Sequence, residues 1–310
     1  RERKLEPGRP RRIEDDGEPR KPLVADDGTI VRDLNTQMDV HGLLPDGAPR
    51  HPRERKPAPK TIMHDNGVLQ AMARVWGEPV FCFSDDMKDC FNQFFLHPGQ
   101  TWLTTILWVD ELGALRHIIE LSLGFGQRLS SNFAQRGTYA IMHVFRKRAV
   151  VIEAELFAAE TDPSRLAYIR HRRALGRRTG RDEFKLHAAA IYTDDPLIQV
   201  VGAKHFVRLL ALWHEITVEF GIRMAIAEKR QGGSSSLWLG LHHLATLGYE
   251  VIPPAKRQRA VDALGHLLAN KGIQNDEYDQ LRGLLVHLQP FAEQIGAMYH
   301  MHASATASRH

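Results

Sequence analysis

The stretch His187–Val201, HAAAIYTDDPLIQVV, decides how the rest of the chain is read. Two apolar runs of strand length meet at Thr193-Asp194-Asp195-Pro196, which is turn chemistry. The stretch therefore predicts a β-hairpin with acids at its tip. Acidic pairs also occur at Asp15-Asp16, Asp26-Asp27 and Asp85-Asp86. The first two lie in polar sequence with Pro, Gly and Arg and are read as solvated. Asp85-Asp86, like Asp194-Asp195, follows an apolar β-type run (Val80–Phe83), which would carry its carboxylates to the edge of a buried sheet. Like charges gathered at such an edge repel one another unless a cation or a proton compensates. Two strand-end carboxylate clusters in one chain suggest a shared divalent-metal site.

Composition bounds the remainder. The chain has 310 residues, 43% of them hydrophobic, enough to bury a sizeable core in one multi-lobed unit or two domains. A formal charge of +4 permits an anionic partner without requiring one. No apolar run reaches membrane-spanning length and no apolar signal core follows the Arg-rich start. A soluble, intracellular protein is expected. Cys82 and Cys90 offer neither a disulfide framework nor a paired-cysteine metal knuckle, so packed, reduced thiols are expected. The 17 histidines fall in no HExxH pattern, and the adjacent His242 and His243 would face opposite ways on a strand.

Residues 1–60 are dense in Arg, Lys, Pro and Gly and read as a basic, partly disordered region with one short strand, Thr29–Leu34. A helix is predicted behind Asp65 as its cap, stopping at Gly77, followed by a strand at Pro79–Asp86. Asn92–Leu96 reads as extended, and Trp102–Val109 with Leu115–Leu121 as a hairpin. The glycines of LGFGQRLSSNF (Leu123–Phe133) allow close backbone approach to a ligand, and Ser130 or Ser131 caps a helix running to about Arg148. Helices flank Asp162-Pro163. Arg170–Arg181 holds six arginines and no acid, which favours a phosphate backbone as counterion. After the hairpin come a helix at Ala203–Phe220, closed by Gly221, and a strand at Ile222–Ala227. Gln231–Ser236 reads as a flexible loop, with strands at Leu237–Leu241 and Leu247–Ile252. Pro253-Pro254 opens an all-helical tail: Ala255–Leu268, Asp276–Leu288 and Phe291–His302.

In this order the features resemble the reverse transcriptases of retroelements, over about Thr29 to Met301 apart from most of 137–186. SDDMKDCFNQFFLHP (84–98) looks like the family's Asp-x-Lys-x-x-aromatic-x-Gln motif, which selects Asp86 rather than Asp85 as the ligand. LGFGQRLSSNF is similar to its Pro-Phe-Gly motif, and YTDD (192–195) to its Tyr-x-Asp-Asp hairpin. AIAEKR (225–230) resembles the Pro-Glu-Lys region, SLWLGL (236–241) the primer grip, and TIVRDLN (29–35) the fingers motif. QLRGLLVHLQPFA (280–292) is similar to the helix that follows the palm.

The resemblance implies an α+β right-hand polymerase with a ferredoxin-like palm, an antiparallel sheet backed by helices, over 61–252. Partial fingers would lie in 1–60 and an insertion at 97–122. An Arg-rich insertion would span about 150–186, with an all-helical thumb at 253–302 and a frayed tail at 303–310. The implied activity is RNA- or DNA-templated DNA synthesis, adding dNTPs to a primer 3′-hydroxyl with two Mg2+ ions, or Mn2+ in their place. Asp86, Asp194 and Asp195 would be the metal ligands, and Lys229 would neutralise or protonate the leaving pyrophosphate. Phe91 would lie under the nucleotide sugar. Gln93, Phe125, Gly126, Tyr192 and Arg32 (with Lys21) would contact the nucleotide or template. Leu239 and Gly240 would grip the primer, and Arg172, Arg173, Arg177 and Arg178 the nucleic-acid backbone. The partners implied are an RNA or DNA template-primer and dNTPs, with no membrane, and a larger retroelement polyprotein of which the chain is the polymerase core. Two rivals stay open: a copy that keeps the fold and binds nucleic acid without catalysis, and a ferredoxin-like nucleotidyl cyclase or related metal enzyme.

Overall fold

The computed structural model describes residues 23–24, 30–31, 56–57, 59–99, 105–110, 112–119, 121–124, 130–179, 185–270 and 281. Two small antiparallel pairs stand outside the main sheet: β1 (Leu23–Val24) with β2 (Ile30–Val31), and β4 (Thr105–Val109) with β5 (Leu115–Ile119). The main sheet is built from β3 (Val80–Ser84), β6 (His187–Tyr192), β7 (Asp195–Val201) and β8 (Gln231–Gly233), in the order β6-β7-β3-β8 with every pair antiparallel. Around it stand α1 (Pro59–Trp76), α2 (Ser130–Ala158), α3 (Pro163–Thr179) and α4 (Ala203–Glu219). A three-stranded sheet follows, of β9 (Ser236–Trp238), β10 (Leu241–Leu244) and β11 (Tyr249–Val251), and then α6 (Pro254–Asn270), with one helical turn, α5 (Ile226–Lys229), between α4 and β8.

Both faces of the sheet are covered, which is why β7 is apolar almost throughout. A strand with one wet face would alternate. On one side Leu69, Met72 and Trp76 of α1 pack with Val80, Cys82, Leu197, Val201 and Trp238. On the other, Ile141, Met142 and Phe145 of α2 and Leu209, Trp213 and Ile216 of α4 pack with Phe83, Ile191, Ile198 and Val200. Each fully buried Leu, Ile or Phe side chain contributes about 1.5–3 kcal/mol, so the two layers hold the sheet far more firmly than its hydrogen bonds do. The connectivity is strand, helices, hairpin, helix, strand. The first strand (β3) is central and flanked by the third (β7) and the fourth (β8).

Several expectations are corrected. The first helix starts at Pro59, not Asp65, because Ile62 already joins the core and Pro suits a first helical position. The helix from Ser130 runs on to Ala158, burying Glu153 and Phe157 in its added turns. Ile222–Ala227 is no strand: it makes one isolated antiparallel bridge, Met224↔Met87, before α5 begins. Gln231–Gly233, expected as loop, is an edge strand. A Cβ on Gly232 would sit 3.2 Å from Phe83 Cβ and 3.3 Å from Phe206 Cζ, so glycine lets β8 pack there. Leu237–Leu241 is two strands, not one. Leu239 (φ 48) and Gly240 (φ 72) turn β9 into β10 with a backbone that suits a tight hairpin. Cys90–Gln93, at the start of the expected extended piece, is a 3-10 turn. The tail helices at 276–288 and 291–302 lie outside the described residues, apart from Leu281. No helix among the described residues is long and apolar enough to cross a membrane.

Candidate active site

The hairpin forms with acids at its tip as expected, and its turn is the two residues Thr193-Asp194, with Tyr192 opposite Asp195 and Pro196 already in β7. Thr193 takes a left-handed backbone (φ 55), unfavourable for a β-branched residue. Gln135, near the start of α2, holds it there. Its Oε1 accepts the Thr193 N–H at 2.7 Å, and its Nε2 donates to the Ile191 carbonyl at 3.1 Å. Gln135 is fully buried, and no sequence pattern pointed to it.

β3 brings the second carboxylate pair beside the tip. The Met87 N–H donates to the Asp194 carbonyl at 3.0 Å, and the Asp85 N–H to the Pro196 carbonyl at 3.3 Å. The two acids follow directly on the end of β3 and divide between two surroundings. Asp85 turns inward, accepting from Arg230 Nε at 3.0 Å and Trp213 Nε1 at 3.3 Å. Asp86 faces the hairpin tip and pairs with the half-exposed Lys229 at 2.7 Å. That pair raises the Lys229 pKa.

Asp86, Asp194 and Asp195 act on one another. Burial, and then the charges of Asp194 and Asp86 and a hydrogen bond shared with Asp86, push the Asp195 carboxyl up to about 7. Burial raises Asp194, with the Asp86 charge adding to it. The Cys90 thiol, buried beneath the group, is pushed up to about 12 by burial and by all three aspartates. Carboxylates crowded enough to raise one another's proton affinity are the hard-oxygen donor set that a divalent cation such as magnesium relieves. They are not drawn as close as a histidine-containing group elsewhere in the structure. Glu153, His187 and His205 each offer a ligand atom, all within 4.8 Å of one another, at the opposite end of β6. No spacing along the chain marks that group, because its members stand on three separate elements.

The other candidate residues are dispersed around this tip. Phe91 is half-buried on the α2 and α4 side of the core. Gln93 is engaged with backbone: it donates to the Lys88 carbonyl at 2.6 Å and the Arg223 carbonyl at 3.0 Å, and accepts the Arg223 N–H at 2.7 Å. It thereby ties the segment after Asp86 to the segment before Lys229. Tyr192 has Lys56 Nζ 4.7 Å from its ring centre. Leu239 packs on the core, and Lys256 lies beside Gly240. Arg172, Arg173, Arg177 and Arg178 stand on α3, with Arg173 over the Phe157 ring at 5.5 Å. Arg32, Phe125 and Gly126 lie outside the described residues.

No protein-family model and no curated protein sequence matches the chain. Among solved structures it is similar to a foamy viral protease-reverse transcriptase dRH in complex with double-stranded DNA, at 12% identity and a TM-score of 0.49. That match covers 91% of this chain and 38% of that one. The same viral enzyme in another complex with double-stranded DNA gives 12% and 0.48, over 91% and 46%. Telomerase from Candida albicans with a TWJ fragment of telomeric RNA gives 11% and 0.39, over 80% and 44%. The chain thus spans less than half the length of each, and the likeness assigns no role to any residue.

Proposed function

We propose that the chain is a template-directed nucleotidyl transferase of the reverse-transcriptase type, extending a DNA primer from dNTPs on an RNA or DNA template. The observation that carries the reading is the meeting of Asp86 with Asp194 and Asp195. Asp86 and the adjacent pair Asp194 and Asp195, more than a hundred residues further on, share one end of two neighbouring strands, where the Asp86 charge adds to burial in raising both hairpin acids. The strand order supports a ferredoxin-like palm as the platform, with fingers before it and a thumb beginning at α6.

Asp86, Asp194 and Asp195 would hold two magnesium ions, which supply charge neutralisation for the phosphates and a more acidic primer hydroxyl. The remaining work belongs to the chain's own side chains. Gln135 fixes the turn so that both hairpin acids keep their positions relative to Asp86. Asp195 holds a proton near neutrality and gives it up when positive charge arrives. Lys229, tethered to Asp86 and half in solvent, keeps an ammonium at the site for the leaving pyrophosphate. The arginines of α3 offer the template-primer backbone a cationic surface.

A second reading, a fold that binds nucleic acid without catalysis, is favoured by the Lys229–Asp86 pair, which occupies one ligand oxygen. Primer extension on homopolymer RNA and DNA templates, beside Asp194→Asn, separates the readings. Extension in the wild type that the variant loses supports the enzyme. Tight, salt-sensitive template binding without extension in either supports the second reading. Synthesis that needs no template removes both and favours the cyclase class.

A further inference from the structure

The histidine-containing group at the far end of β6 has no part in nucleotidyl transfer. Glu153 comes from the second half of α2, His187 opens β6, and His205 lies in the first turn of α4. Packing of both helices on the sheet brings them together, and all three side chains are almost fully buried. Glu153 Oε1 lies 2.8 Å from His187 Nδ1 and 3.1 Å from His205 Nε2, and it accepts the Leu186 N–H at 2.8 Å. Glu153 Oε2 is buried with no hydrogen-bond partner, and so is His205 Nδ1. A buried carboxylate with one orphaned oxygen is costly unless a cation sits against it.

We propose that Glu153, His187 and His205 form a metal centre for a borderline divalent ion, zinc being the expected occupant, which pins α2 and α4 to the start of the hairpin strand. Two imidazoles and one carboxylate suit zinc, whereas magnesium and calcium favour oxygen donors throughout. Tetrahedral zinc bonds of about 2.0–2.2 Å set ligand atoms about 3.3 Å apart. The observed 2.8 and 3.1 Å from Glu153 Oε1 fall a few tenths of an ångström short of that spacing, and all three ligand atoms lie within 4.8 Å of one another. The orphaned Oε2 then gains a counter-charge, and water completes the fourth position. Because the group is enclosed by both helices and the sheet, its effect is on stability and on the placing of β6.

The test uses the full chain without an affinity tag, stripped by chelator and titrated with Zn2+ alone, then with Co2+. One tight zinc per chain, a raised melting temperature and the visible spectrum of tetrahedral Co2+ are expected. His205→Gln keeps a hydrogen-bond donor toward Glu153 but cannot ligate in the same way. It should weaken zinc binding by more than about 100-fold, beyond the loss of an outer-shell partner. Asp194→Asn should bind zinc as the wild type does. X-ray absorption at the zinc edge of the wild-type chain should count two imidazoles, which keeps the test decisive if the variants fail to fold. Absence of tight zinc in the wild type, a shell without two imidazoles, or unchanged binding in a folded His205→Gln chain overturns the proposal.

Discussion

The two ends of β6 carry ionisable groups in opposite states. At the tip, Asp86, Asp194 and Asp195 are like charges in partial contact with solvent, and the fold is strained by them. At the other end, Glu153 is sealed in and its pKa is lowered by two histidine partners. The same helix serves both: Gln135 of α2 grips the tip and Glu153, 18 residues on, takes the base, about 27 Å along the helix axis. Crowded carboxylates at the tip call for positive charge from outside, whereas at the base two imidazoles already flank the carboxylate and only its second oxygen is left without a partner. The first kind costs stability for function, and the second supplies stability without chemistry.

Each end can be broken separately. Asp194→Asn should lower primer extension by at least about 10³-fold, since positioning and charge neutralisation are nearly all of this chemistry. Yet it should leave the fold as stable as before or about 1 kcal/mol more so, because it removes repulsion. Specific activity beside urea denaturation checks both halves, and a variant that loses stability with its activity would erase the contrast. Glu153→Ala should do the reverse, costing about 3–5 kcal/mol of stability by leaving buried partners uncompensated. Activity per folded molecule should be retained, measured after correcting for the folded fraction.

The pH dependence is smaller and has a definite sign. Asp195 is raised from 3.8 to about 7 in the fold, so across that interval the native state holds a proton that the unfolded chain has released. In the absence of divalent ions, stability should fall as pH rises from about 4 to 7, seen as a declining urea midpoint. Asp195→Asn should flatten that slope. The smallest effect expected is at Thr193, whose left-handed backbone suits Asn better. Thr193→Asn should add about 0.5–1 kcal/mol, read as a modest rise in melting temperature, provided Gln135 still receives the backbone N–H.

Much of the tip was legible. Strand-length apolar runs and turn chemistry placed the hairpin and its acidic tip, though not its register, and the apolar run before Asp85-Asp86 placed the partner strand. The choice of Asp86 over Asp85 rests on the family motif; what only the fold shows is that Asp85 turns inward onto Arg230 and Trp213. Gln231–Gly233 was illegible as a strand because glycine has low β propensity, and only the close approach of Phe83 and Phe206 explains it. Gln135, Glu153 and His205 were illegible for another reason. Each lies on a helix whose pattern is set by its apolar stripe, and their importance comes from contacts with residues 34 to 58 positions away.

By itself the sequence determined the main helices, the strand before Asp85 and the acidic hairpin, because apolar runs, turn residues and helix stripes are properties of neighbours along the chain. Which carboxylate faces which, and that a glutamate and two histidines meet beneath the same strand, was decided only when α2 and α4 packed on the sheet. Burial and charge act through space, and no spacing along the chain records them.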